Sequence, residues 1–146
     1  MRIISRSSQD TLKLGGKISK SLSKGDIVCL FGQLGTGKTV LAKGIAQGLG
    51  ISIAEVISPS FTIARQYEGK LSLSHLDLYR LDRASILELG YEDYLYGDSV
   101  VLIEWADRLD GYLPNEYLKI KLKVINDKKR QIDITAVGQR YKKFDY

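Results

Sequence analysis

The chain has 146 residues, 44% apolar and 27% charged, a balance that fits one soluble globular domain and neither a disordered nor a fibrous chain. No apolar run approaches the ~20 residues of a membrane span, "MRIISRSSQD" lacks the apolar core of a signal peptide, and the single cysteine, Cys29, excludes an internal disulfide or a cysteine metal cluster. The net charge of +5 is uneven: residues 117–146 hold nine Lys/Arg against three Asp/Glu, and residues 81–116 hold two against nine. A cytoplasmic protein is expected, with faces that attract opposite partners.

"RIIS" at the start reads as a short edge strand. "SSQDTLKLGGKISKSLSKG" reads as a helix capped by Ser8, with Leu12, Ile18 and Leu22 on one side and Gly25 at its end. Gly15 and Gly16 in its middle mark either close packing or a break. "DIVCLF" (Asp26–Phe31) is a continuous apolar run, as expected of a strand buried on both faces of a parallel sheet. Cys29 within it is a small buried hydrophobe.

The next eight residues are Gly32, Gln33, Leu34, Gly35, Thr36, Gly37, Lys38 and Thr39, which fit G-x-x-x-x-G-K-[ST]. Glycines let the main chain approach phosphates, and the loop amides and helix N-terminus face the anion. Lys38 reaches the β- and γ-phosphates, and the Thr39 hydroxyl ligates Mg²⁺. The context also fits: an apolar strand precedes the loop, and a helix from Lys38 through Val40 to about Gly48 follows it. A nucleotide and Mg²⁺ are the expected ligands.

"SPSFT" (Ser58–Thr62) offers hydroxyls from Ser60 and Thr62 on a backbone restrained by Pro59. It can sense a γ-phosphate or serve as an ordinary strand entry. Phe61–Tyr79 reads as a hairpin turning at Glu68–Lys70, with His75 and Asp77 on one face of its second arm. "DRASILELGYEDYLYGD" is acidic and helical. "SVVLIEW" is the second fully apolar strand, ending in Glu104 and Trp105. "YLKIKLKVINDKKRQIDITAV" is a hairpin turning at Asn126–Lys129. The expected fold is α/β: a single P-loop NTPase-like domain over residues 1–146, with a mixed, partly parallel sheet flanked by helices and antiparallel hairpins.

P-loop enzymes place a carboxylate at the end of a neighbouring buried strand to hold Mg²⁺. Glu104 has the stronger pattern, and Asp77 is the second candidate. One holds the metal with Thr39, leaving the other to orient or deprotonate a nucleophile. His75 reads as a packing partner of Asp77, with a metal or base role as the alternative, and one His with one Cys makes a zinc site untenable. No N-K-x-D tetrapeptide signals guanine selection.

"GQLGTGKT", "SPSFTIARQYEG", "HLDLYRL" and "IEWADRL", in this order and spacing, resemble the TsaE (YjeE) family, small P-loop ATPases required for threonylcarbamoyladenosine modification of tRNA. The resemblance covers nearly the whole chain. It implies ATP bound with Mg²⁺, slow hydrolysis alone, and work in a complex with the TsaD transferase and its partner TsaB. Carried over by motif, Gly32 to Val40 cradle the nucleotide. Thr39, Asp77 and Glu104 are the metal-linked set, with Asp77 and Glu104 as the catalytic acids. Thr62 belongs to a switch-like strand entry, and Trp105 sits beside the nucleotide. The family often carries Asp at the position of Gln33 and Pro at that of Ala106; a neutral Gln33 changes the loop's charge, and loss of proline loosens the turn after Trp105.

Two other readings compete: a small-molecule kinase, for which no arginine-bearing lid is evident, and a nucleotide-dependent binding module that never hydrolyses. The basic C-terminal segment, with Lys142 and Lys143, offers contacts to an acidic protein surface or directly to tRNA phosphates. As a solvated strand face it needs no partner.

Overall fold

The computed structural model describes residues 1–57 and 64–144. Seven strands form one sheet in the order β1-β7-β6-β2-β5-β4-β3. They are β1 (Arg2–Ser5), β2 (Ile27–Phe31), β3 (Ala64–Tyr67), β4 (Leu73–Asp77), β5 (Val100–Glu104), β6 (Tyr117–Val124) and β7 (Arg130–Val137). The four central strands β6, β2, β5 and β4 run parallel, and antiparallel β1, β7 and β3 complete the two sides. The mixed sheet matches the sequence expectation. β2, β4 and β5 are buried nearly throughout, because helices cover both faces of the sheet there.

Helices α1 (Ser8–Ser19) and α2 (Lys38–Gly48) pack on one face, where Leu14, Ile18, Leu41 and Ile45 meet Val28, Leu30 and Leu102. The short helices α3 (Arg83–Glu88) and α4 (Glu92–Leu95) lie on the other face, with Ile86 and Leu95 against Cys29, Val101 and Ile103. The acidic segment expected as one helix is therefore two. Its break falls at Gly90, whose φ of 64° leaves the helical region.

Helix α1 also differs from its expected limits. Ser7, not Ser8, is the cap: its hydroxyl accepts from the Asp10 amide at 3.0 Å. The helix stops at Ser19, well before Gly25. Leu14 and Ile18 carry its buried side, and Leu12 is only partly covered.

Close packing is the answer at Gly15. A Cβ there would lie 2.6 Å from the Leu41 carbonyl oxygen, and a Cβ on Gly44 would strike the Leu12 carbonyl. The two helix backbones touch, so neither position has room for a methyl group. Gly44→Ala gains about 1 kcal/mol of helix propensity. It is nevertheless expected to destabilise the fold by about 1–3 kcal/mol, because the obstructing atoms are backbone. Urea unfolding measures this; an unchanged or higher midpoint would show that the helices can part freely.

The C-terminal segment ties back to the central sheet. The Ile27 amide donates to the Tyr141 hydroxyl at 2.7 Å, and Arg140 Nε donates to Asp26 at 2.6 Å. Both bonds hold the start of β2, the strand that leads into the glycine loop.

Candidate functional site

All four parallel strands end at the same edge of the sheet, where open α/β sheets place ligands. β2 runs there into the glycine loop, which turns at Gly35 and Gly37 with φ of 78° and 97° and then opens α2. β4 and β5 are in register so that Asp77 stands beside Glu104, and Glu104 beside Leu30 of β2. Both acids are nearly fully buried, although each ends its strand. The period-two pattern of buried strands thus delivers two carboxylates to one point beside the loop.

Thr39, one residue into α2, donates from its hydroxyl to Glu104 Oε1 at 3.0 Å. The other oxygen, Oε2, pairs with His75 Nε2 at 2.7 Å. The partner of His75 is therefore Glu104, across the strands, rather than Asp77 on its own strand. Asp77 Oδ1 accepts from the Tyr79 amide at 3.0 Å, which fixes the turn out of β4.

The Lys38 ammonium folds onto its own loop. It donates to the carbonyls of Gly32 and Gln33 at 2.6 and 2.8 Å and lies 3.4 Å from the Thr36 hydroxyl. Burial lowers its pKa, opposed by the negative charges of Glu104, Asp77 and Asp107. Its nitrogen also sits 4.1 Å from the centre of the Trp105 ring, a cation–π distance. Trp105 is the one non-glycine with positive φ among the described residues, at 58°. That left-handed residue turns the chain sharply after β5 and brings the indole over Lys38. Tyr79 packs against the same indole, ring centres 4.7 Å apart and planes tilted by 38°. The turn that follows closes without proline: the Arg108 amide donates to the Trp105 carbonyl at 3.0 Å, and Ala106 is fully buried.

These groups line a cleft of about 510 Å³. Leu34, Gly35, Gly37, Lys38, Thr39, Val40, Asp77, Glu104 and Trp105 all face it. Gly32, Gln33 and Thr36 do not line it; their oxygens hold Lys38 instead. Thr62 lies outside the described residues.

Two further walls were not anticipated from sequence. Ser7, Ser8 and Thr11, at the start of α1, form one. Asp127, Lys128 and Arg130, from the β6–β7 turn, form the other. That turn is built by Asn126, whose side-chain oxygen accepts from the amides of Lys128 and Lys129 at 3.0 and 2.9 Å. Arg130 reaches from it to the Gly35 carbonyl at 3.3 Å. Both walls lie on the β6 side of β2, and both acids lie on the β5 side. A polyanion laid along the loop would therefore have one end at the carboxylates and the other between α1 and the turn.

Among the described residues no helix is long and apolar enough to cross a membrane. Lys121 and Lys123, on the outer part of β6, and Lys142 and Lys143 are exposed, as the basic C-terminal segment predicts.

Comparison with known proteins agrees with this geometry. The chain is 41% identical to a "tRNA threonylcarbamoyladenosine biosynthesis protein TsaE" of Treponema pallidum, over 92% of this chain and 99% of that one. It is 45% identical to the protein of the same name from Bacillus subtilis, over 86% of this chain and 79% of the other. A crystal structure of Bacillus subtilis YdiB superposes with a TM-score of 0.84 at 37% identity, covering 97% of this chain and 88% of that one. Residues 5–132 match the family described as "Threonylcarbamoyl adenosine biosynthesis protein TsaE". With the glycine loop, the two strand-end acids and the sheet order all in place over that span, the chain belongs to the TsaE family.

Proposed function

We propose that the protein is a Mg²⁺-dependent ATPase subunit that serves threonylcarbamoyladenosine modification of tRNA together with the TsaB–TsaD transferase pair. The observation that carries this reading is the convergence of Thr39, Asp77 and Glu104 beside the Lys38 loop. A loop alone binds phosphate; a loop flanked by two buried carboxylates can also cut it.

The donor set suits Mg²⁺. Thr39, Asp77 and Glu104 offer hard oxygens and no sulfur. Mg²⁺ takes few protein ligands and keeps several waters, so Thr39 with one carboxylate would suffice to hold it. When bound there it would neutralise charge on the phosphates.

The protein's own groups then divide the work. Loop amides and Lys38 bind the β- and γ-phosphates. Glu104 orients the attacking water and accepts its proton as the new bond to the γ-phosphorus forms and the bond to the β–γ bridging oxygen breaks. Asp77, tied to the Tyr79 amide and beside Glu104 in the sheet register, stands on the metal side. Trp105 lies against the Lys38 ammonium, and Tyr79 packs on the same indole.

The sugar and base belong at the other end, between Ser7, Thr11 and Arg130. Arg130→Ala is expected to weaken MgATP binding about ten-fold, the loss of one charged hydrogen-bond donor, while turnover at saturation stays unchanged. Calorimetric titration with MgATP reads the first quantity and steady-state kinetics the second. A fall in turnover with affinity intact would move Arg130 to the reacting end.

The whole reading is tested by phosphate release from MgATP with and without the purified TsaB–TsaD pair and tRNA. Release that rises with the partners and accompanies modified tRNA supports it. Phosphate transferred to a small acceptor would make the protein a kinase, and binding without cleavage under every condition would make it a nucleotide sensor.

A further inference from the structure

His75 is completely buried on β4 and lines no part of the cleft. Its Nε2 lies 2.7 Å from Glu104 Oε2, and Glu104 Oε1 takes the Thr39 hydroxyl at 3.0 Å. The other ring nitrogen, Nδ1, is buried with no hydrogen-bond partner among the described residues. With the carboxylate as acceptor, hydrogen-bond chemistry assigns the donor to Nε2; a neutral ring then leaves Nδ1 bare. A bare buried lone pair costs less than a buried N–H with nothing to receive it. A histidine kept only for packing has no need to point its one donor at the carboxylate beside the phosphate loop.

We propose that His75 is a positioning residue for hydrolysis. Its Nε2–H pins one oxygen of Glu104 and so aims the other at Thr39 and the attacking water. Without this bond only the Thr39 hydroxyl restrains the carboxylate, whose last torsion is broad and roughly two-fold. The inference rests on Glu104 acting on the water, as proposed above.

His75 is the only histidine in the chain, so ¹⁵N-histidine labelling of the full protein gives a single, unambiguous imidazole. We expect a protonated Nε2 and a bare Nδ1, with the Nε2 signal moving in Glu104→Gln. In kinetics with the TsaB–TsaD pair, His75→Leu should lower turnover at saturating MgATP by about 10–100-fold, as losses of such supporting contacts do. The dissociation constant for MgATP should stay within about two-fold, because His75 touches no part of the cleft. His75→Gln, whose amide can donate to the same oxygen, should regain most of the rate.

The proposal is overturned by a proton on Nδ1, by an imidazole signal indifferent to Glu104→Gln, or by His75→Leu turning over like wild type. Equal loss of affinity and turnover in both His75 variants would mean a purely structural role and overturn it too. If wild type itself releases no phosphate, the ATPase reading fails on its own. The spectrum then still decides whether His75 orients Glu104.

Discussion

Replacing Glu104 by glutamine is expected to stop phosphate release while MgATP still binds. Turnover with the transferase pair should fall by about 10²–10⁴-fold, the range for losing a positioned acid–base group. The substitution is nearly isosteric, and both neighbours can adapt. The amide oxygen accepts from His75 Nε2, and the amide nitrogen donates to the Thr39 hydroxyl, which exchanges roles. Fold stability should therefore change little. Removing the negative charge also withdraws the largest influence that holds the Lys38 pKa up against burial. A modest weakening of nucleotide binding is thus expected beside the large loss of rate. Single-turnover phosphate release and calorimetry on the same preparation separate the two. Phosphate release within a few-fold of wild type would remove Glu104 from the reaction.

The second large effect is at Lys38, and it should fall on binding. Lys38→Ala is expected to weaken MgATP binding by at least about 100-fold, close to 3 kcal/mol. Modification of tRNA should be lost with it. The ammonium has neutral partners, the Gly32 and Gln33 carbonyls at 2.6 and 2.8 Å. A phosphate arriving beside it exchanges neutral oxygens for charged ones, so it need not break a strong ion pair first. Alanine removes this exchange and leaves the two carbonyls facing a void beneath Trp105. Reconstituted modification with TsaB–TsaD provides the check. Equal tRNA modification by Lys38→Ala would end the ATP-dependent reading.

The parts of this site that are local in sequence were legible there. The glycine loop is a contiguous pattern, and its chemistry follows from glycine, lysine and threonine at fixed spacing. Glu104 was legible as a candidate because an acid at the end of an apolar strand is costly without a purpose, whereas the mixed strand before Asp77 gave a weaker signal. The sheet itself followed from fully apolar runs in β2 and β5 and alternating runs in β6 and β7. What escaped depends on chain segments that meet only in three dimensions. Thr11 and Arg130 are far apart in the chain, and no local pattern says that the start of α1 and the β6–β7 turn face one cleft. The Asn126 turn could be read as a turn, but not as a wall. His75 was legible as a partner of some acid, yet its own strand suggested Asp77; the parallel register of β4 and β5 brought Glu104 closer. The cap at Ser7 was missed by one residue because Ser7 and Ser8 are chemically equal candidates. The split at Gly90 was missed because the flanking residues favour helix on both sides.

The contact between the backbones of α1 and α2 has a mechanical consequence. Leu12, which Gly44 touches, is the neighbour of Thr11, and α2 begins at Lys38. The width of the cleft at its α1 wall is thus gauged by two abutting helices with no side chain between them to act as a cushion. A bulkier residue at position 15 or 44 would act as a shim, prying the α1 wall away from the loop. Lesions deep in the helix pair would then be felt first as a poorer grip on the nucleotide.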